Sequence, residues 1–320
     1  MVIFLYFGSV FQPKCILVLC LLNFLFLVIF YGVLLSYLDD ANGFEKIVYE
    51  QMMKIMDPNL LTVEQITDSI LNNKLIEDST NNLTQIWTKL KCNLSSSNKL
   101  AIIVPYRDRR YQLEILIQYL DELLRRQMQC YQIYIVEQFG QSKFNKGLLM
   151  NAGFLEAMKL WKFDCVMFHD VDLIPESFNV PYSCSSLPTH LSVSIDTFDY
   201  KLPYSYLVGG VIVMKTYQFL TLNGYSNMYW DWGAEDDDLY IRINATNLQV
   251  TRPAASIARF RMLKHKARQK SPIELRHKLL SFSKARYRLD GLNSISYAVQ
   301  QRTYCELYTH LLIDVGPSPF

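Results

Sequence analysis

The sequence predicts an α/β fold, a mainly parallel sheet with helices on both faces, set behind an N-terminal transmembrane helix. Three observations carry this prediction. Short apolar runs alternate with stretches of helical period between residues 100 and 169, the pattern of strands joined by crossover helices. Residues 39–98 are polar, rich in Asn, Thr and Ser, and too broken in apolar pattern to form a core. Residues 16–38 are apolar with Asn23 as their strongly polar exception, and a helix needs about 20 such residues to cross hydrocarbon.

Taken in order, residues 1–15 form a cytosolic tail. Lys14 before the apolar run and Asp39 and Asp40 after it favour a cytosolic N-terminus, so the bulk of the chain lies on the far side of the membrane. The run is too long for the apolar region of a cleaved signal peptide and lacks a small-x-small cleavage site, so it reads as an uncleaved anchor. Residues 39–98 read as a stem with some helix, for example Val63 to Ile70, and 99–320 as the globular domain.

Within that domain, Leu100 to Val104 is a buried strand ended by Pro105. Leu113, Leu116, Ile117, Leu120 and Leu124 give one apolar face to a helix over 109–127. A second strand spans 131–136 and a second helix 145–161, with Leu148, Leu149, Phe154, Leu155 and Met158 on its buried side. A third strand, 164–169, runs straight into Asp170-Val171-Asp172. Beyond Pro175 the periodicity weakens, which reads as long functional loops.

The formal charge of +2 is near neutral and its basic residues are scattered, which sets nucleic-acid binding aside. Of seven cysteines, Cys15 and Cys20 lie in or beside the apolar run, leaving an odd five in the remainder. Glycosylation sequons at Asn82, Asn93 and Asn244 fit an oxidising secretory compartment.

Four constellations carry chemistry. Asp170 and Asp172 stand at the carboxyl end of a predicted strand, where open α/β sheets bind ligands, and alternation along an extended chain would aim both the same way. Paired carboxylates there suit Mn²⁺ or Mg²⁺, although a solvated turn reads equally from that motif alone. Glu235-Asp236-Asp237-Asp238 would ordinarily be a solvated run, but Tyr229, Trp230 and Trp232 precede it, and aromatics beside carboxylates suit sugars. One of these acids, desolvated by the tryptophans, could act as a general base. His265 in Met262-Leu263-Lys264-His265 is a candidate ligand, whereas the soft thioether of Met262 suits a hard cation poorly. Pro105-Tyr106-Arg107-Asp108-Arg109 follows the first strand and could hold a nucleotide, although taken alone it reads equally as a plain capped turn.

Together and in order, AIIVPYRDR (101–109), FNKGLLMNAGF (144–154), FHDVDLIP (168–175), VGG (208–210), FLTLNGYSNMYWDWGAEDDD (219–238), MLKH (262–265) and DGLNS (290–294) resemble the β-1,4-galactosyltransferase family, glycosyltransferase family 7. The resemblance covers about residues 92–318 and implies a GT-A fold in a type II Golgi membrane protein. It implies inverting transfer from UDP-Gal or UDP-GalNAc to the 4-hydroxyl of a GlcNAc-terminated glycan, with Mn²⁺ as cofactor. Carried over, the metal ligands are Asp172, Met262 and His265, so the family uses the thioether despite its softness. Donor contacts fall to Pro105, Arg107, Arg109, Phe144, Lys146, Asp170, Val171, Leu207 and Trp232. Asp236 is the base, flanked by Glu235 and Asp237. The acceptor side comprises Phe198, Tyr204, Ala234, Asp237 and Arg276. Cys165 and Cys184 match a family disulfide.

The departures are as informative. Lys146 stands for the family's usual Arg, and Asp231 and Ala234 stand for glycines. Cys92 matches a family cysteine whose upstream partner is missing, leaving Cys130, Cys305 or no partner. Leu207 stands where vertebrate members carry Tyr against the donor's C2 substituent, and it leaves room for an N-acetyl group. The alternative of a different class is a catalytically silent sugar-binding relative. A hydrolase with paired carboxylates is a third reading, disfavoured by the nucleotide-site residues.

Overall fold

The computed structural model describes residues 98–320. The tail, the anchor, the helix at 63–70, Asn82 and Asn93 lie outside the described residues, as does the stem apart from its last residue. Among the described residues, no helix is long and apolar enough to cross a membrane.

Strand β1 (Lys99–Tyr106), helix α1 (Arg110–Arg126), β2 (Cys130–Gln138), α2 (Lys146–Leu160) and β3 (Cys165–His169) follow the predicted order closely. Pro105 does not end β1, which pairs with β2 as far as Tyr106 opposite Glu137. The ladder to β3 on the other side stops at Ile103 opposite Phe168. Beyond that point a missing N–H leaves no gap in the β3 ladder, so proline is tolerated.

Next come β4 (Leu173–Pro175), β5 (Thr189–His190), β6 (Ser194–Ile195), β7 (Val211–Lys215), α3 (Thr216–Thr221) and α4 (Glu235–Ala245). The chain closes with β8 (Arg259–Met262), α5 (Ile273–Ser281), α6 (Ser283–Arg286), β9 (Ala298–Tyr304) and β10 (Thr309–Asp314). The large sheet has the order β5-β7-β3-β1-β2-β10-β9, and a small one has β4-β8-β6. Strands β3, β1 and β2 are parallel, as the alternating pattern predicts, and β10, from the region without periodicity, joins them in parallel beside β2. The sheet is nevertheless mixed, because β7, β5 and β9 join antiparallel. The expectation of a mainly parallel sheet therefore holds for its centre only, since short returning strands add no crossover helix to the sequence pattern.

The β1 side chains alternate between two cores, as a strand buried on both faces must. Leu100, Ile102 and Val104 cluster with Leu116, Leu120 and Leu124 of α1. Ile103 and Val136 face α2, where a Cβ on Gly153 would collide with both. Helix α2 is buried throughout 147–157 instead of along one stripe, because a loop covers its other side. Asn151 and Tyr225 exchange two hydrogen bonds of 2.8 Å, and Asn145 donates to the Asn227 carbonyl at 2.8 Å. The aromatic loop before α4 is thereby docked onto a core helix. Arg242 and Arg286 bind Asp238 at 2.5 and 2.6 Å, and both also pair with Asp290, a fully buried lattice that fixes the base of α4.

Cys165 and Cys184 are disulfide-bonded, with Cα atoms 5.6 Å apart. Cys130 is also disulfide-bonded, and Cys305 is a free thiol among the described residues. Asn244 is exposed on the last turn of α4, not on a loop.

Candidate active site

Strand β3 ends at His169, and the next residues turn, with the Leu173 N–H reaching the Asp170 carbonyl at 3.4 Å. The extended alternation expected to align Asp170 and Asp172 is therefore absent, and the turn sends their carboxylates to different partners. Asp170 lies 2.7 Å from the Lys146 ammonium, which is also 3.2 Å from Glu235. Asp172 takes the Arg109 guanidinium and, at 3.1 Å, His265 Nδ1. Burial and the neighbouring Asp170 push the Asp172 carboxyl up, against the pull of Arg109 and His265.

Met262 joins this group through the small sheet, where it pairs with Leu173, one residue past Asp172. Asp196 holds the Met262 N–H at 2.8 Å, and the Thr197 hydroxyl touches its sulfur at 3.7 Å. His265 Nδ1 also lies 2.9 Å from the Leu263 carbonyl, which orients the ring. One carboxylate, one imidazole and one thioether from adjoining segments make a donor set of mixed hardness that fits a borderline divalent cation. Among the described residues no three His, Cys, Asp or Glu side chains cluster as ligands, so the set depends on the thioether.

Beside it opens a cavity of about 410 Å³ lined by Arg107, Arg109, Phe144, Lys143, His265 and Arg268, among others. Arg107 donates to the Ser142 carbonyl at 2.7 Å, and its guanidinium lies 5.1 Å from the Phe144 ring centroid. Arg268 lies over the same ring at 3.8 Å and donates to the Arg107 carbonyl at 3.1 Å. Burial, with Arg109 and Arg107 nearby, lowers the Arg268 guanidinium to about 10. Such crowding of cations suits a polyanion. The sequence reading missed Arg268, which lies in a loop without periodicity; its one signal was the basic run after His265. Pro105 and Val171 are buried beneath, lining neither described cavity.

The acidic run forms the first turn of α4, a favourable place for anions at the positive end of a helix. Its neighbours make it a site and not a solvated face. Asp236 packs so closely on Gly209 that a Cβ there would collide with its carboxylate. Burial, then Glu235 and Asp237, push the Asp236 carboxyl up to about 7, with Lys146 opposing them. Burial also raises Asp237, against the Tyr204 hydroxyl. Asp237 Oδ1 and Arg276 Nε are both buried without a hydrogen-bond partner. They border a second cavity of about 260 Å³, with Tyr206, Ala234, Ile241, His277 and Leu280. Two residues that border one cavity thus each keep an unsatisfied polar atom, which suits this place to a hydroxylated ligand. Tyr204 and Tyr206 are in ring contact at 4.4 Å, and Tyr206 and Tyr240 at 6.0 Å.

Between the cavities runs the loop of Trp232, a residue that is 54% exposed. Its N–H donates to Gln269 and its carbonyl accepts from Ser271, at 2.9 and 3.2 Å. Asp231, Gly233 and Ala234 have φ of 64°, 117° and 76°. Two of these left-handed positions carry a Cβ, which accounts for the glycines the resemblance leads one to expect there. Leu207 is half-buried just before Val208-Gly209-Gly210. Phe198 is exposed on a 3₁₀ turn and borders neither cavity, so the site does not gather it with the other acceptor-side residues.

The described motifs match two family models: the N-terminal region of glycosyl transferase group 7 over residues 53–185, and the N-terminal domain of galactosyltransferase over 189–266. The chain is 41% identical over 231 residues to β-1,4-galactosyltransferase 1 of Bos taurus, covering 72% of this chain and 57% of the bovine protein. It is 35% identical to β-1,4-galactosyltransferase 5 of Homo sapiens, covering 84% and 68% of the two chains. It thus spans a little over half the length of the bovine relative. Among solved structures, a mutant of Drosophila β-1,4-galactosyltransferase 7 in complex with manganese, UDP-Gal and xylobiose superposes with a TM-score of 0.60 at 28% identity, covering 69% of this chain and 95% of that one.

Proposed function

Because this chain belongs to the glycosyl transferase group 7 family, we propose that it is a metal-dependent galactosyltransferase that uses Asp236 as its base. The observation that carries the reading is the setting of Asp236: a half-buried carboxyl raised to about 7 on the first turn of α4, between Glu235, which meets Lys146, and Asp237, which borders the second cavity. A general base works best when its pKa lies near the working pH.

The reaction is a single displacement at the donor's anomeric carbon. The acceptor oxygen forms its bond to that carbon as the bond to the UDP oxygen breaks. The acceptor proton passes to Asp236, and the electron pair leaves with UDP. Arg107, Arg109 and Arg268 face the departing diphosphate and stabilise its charge. A manganese ion held by Asp172, Met262 and His265 would supply further charge neutralisation there. Asp237 and Arg276 orient the acceptor sugar, and Trp232, on its exposed loop, covers the donor against water.

The finer reading is that the acceptor is a GlcNAc-terminated glycan and that Leu207 admits UDP-GalNAc as well as UDP-Gal. The apolar run at 16–38 supports a type II anchor with the site on the lumenal side of a Golgi membrane. The test is to offer both donors to the full chain with free GlcNAc, with and without Mn²⁺. Transfer that requires Mn²⁺ supports the reading. Donor binding without any transfer would instead identify a silent sugar-binding relative.

A further inference from the structure

Behind the segment that carries Leu207 lies a group of polar residues that borders neither cavity. Arg252 donates to the carbonyls of Ser205 and Leu207 at 2.7 and 3.0 Å. Its Nε reaches His190 Nδ1 at 3.4 Å, and His190 Nε2 lies 2.8 Å from the Gly209 carbonyl. The Ser192 hydroxyl also donates to Gly209, at 2.9 Å, and accepts the Val211 N–H at 2.9 Å. His190 is fully buried, and burial lowers it to about 4, so a neutral ring accepts from Arg252 at one nitrogen and donates to Gly209 at the other.

We infer that Arg252 and His190 are positioning residues for donor selection, fixing the backbone of 205–209 and through it the aim of Leu207. Among the described residues no carboxylate pairs with Arg252, so its guanidinium is committed to carbonyl oxygens. One terminal nitrogen, Nη2, donates to both carbonyls while Nε of the same rigid plane reaches His190, so the guanidinium ties the loop to the buried ring at a set spacing, which a lysine's single ammonium cannot do. The frame behind it is rigid. His190 belongs to β5, its N–H donates to the Thr251 carbonyl at 2.9 Å, and the Thr189 and Thr251 hydroxyls meet at 2.8 Å. Arg252 is thus anchored to the edge of the large sheet while it grips the loop. On the loop's far side Gly209 packs on Asp236. A shift of a few tenths of an ångström at 205–209 would therefore change both the room beside the donor and the seat of the base.

The inference rests on reading Leu207 as the donor's neighbour, and the test separates the two. The ratio of kcat/KM for UDP-Gal to that for UDP-GalNAc is measured for the full chain and for Arg252→Lys, Leu207→Gly and their double variant, with Tm recorded for each. Arg252→Lys is expected to shift the ratio by about fivefold or more, and to shift it little in the Leu207→Gly background, where there is no side chain to mis-aim. His190→Gln, whose amide can still donate to Gly209, should hold the ratio nearer wild type than His190→Leu. If Leu207→Gly moves the ratio and Arg252→Lys does not, the inference is overturned and the donor reading stands. If Leu207→Gly leaves the ratio unchanged, both fall. Should Arg252→Lys fail to fold, Ser192→Ala, which removes one donor to Gly209, is read by the same ratio with the same two outcomes.

Discussion

The Lys146 ammonium lies 2.7 Å from Asp170 and, on its other side, 3.2 Å from Glu235. One cation thereby joins the turn beside the donor cavity to the helix that carries the base. Burial disfavours its charge, yet the two carboxylates outweigh this and hold Lys146 well above the ordinary lysine range. Lys146 is also the group that lowers Asp236 against burial and the neighbouring acids. Lys146→Met should raise the Asp236 pKa, moving the acid limb of the kcat/KM profile to higher pH. At a fixed pH below that limb, the rate should fall about tenfold for every pH unit the limb moves. Lys146→Arg should keep the limb in place. A pH profile of the two variants decides it.

The raised Asp236 also makes a prediction about stability. Its folded pKa of about 7 lies above the unfolded value, so between about pH 4 and 7 the native state binds more protons than the unfolded one, and stability falls as pH rises through that window. Asp236→Asn removes this cost. Without donor present, the variant's gain in Tm over wild type should be larger at pH 8 than at pH 4.

Arg268 is the cation that only the three-dimensional arrangement reveals. If it helps bind the diphosphate, Arg268→Ala loses a charged hydrogen bond worth about 2 kcal/mol, which is roughly thirtyfold in donor affinity. UDP titration should show that loss while the acceptor KM stays within about twofold. An unchanged UDP affinity would remove Arg268 from the donor site.

Ala234 occupies a left-handed position at φ 76° as the N-cap of α4. A Cβ there costs about 1 kcal/mol, so Ala234→Gly should relieve strain and raise or at least preserve Tm. Because Ala234 borders the acceptor cavity, the same change should lower the acceptor KM. A fall in Tm together with a rise in KM would show that the alanine side chain contributes contacts that outweigh its strain.

The centre of this fold was legible in the sequence because apolar runs such as Leu100–Val104 and the repeat through Leu116, Leu120 and Leu124 obey two distinct periods. The antiparallel flank was not. Val211–Lys215 is a buried strand as apolar as β1, but the chain reaches it through short strands and loops with no crossover α-helix, so no alternating pattern announced it. The acidic run announced itself by its aromatic neighbours, whereas the division of Asp170 from Asp172 depended on a turn that spacing alone misread as extended. Arg252, His190 and Arg268 work through backbone carbonyls and ring faces far apart in sequence, and contacts of that kind leave no local signature. Met262 entered through the resemblance alone, because chemistry argued against it until the β4–β8 pairing put it beside Asp172.

The central claim is that Asp236 takes the acceptor's proton, and the most direct measurement is the turnover of Asp236→Asn beside its affinity for UDP with Mn²⁺. An amide cannot accept that proton, so transfer should fall by about a thousandfold while UDP affinity stays within about twofold. Transfer retained to within about tenfold of wild type would contradict the account.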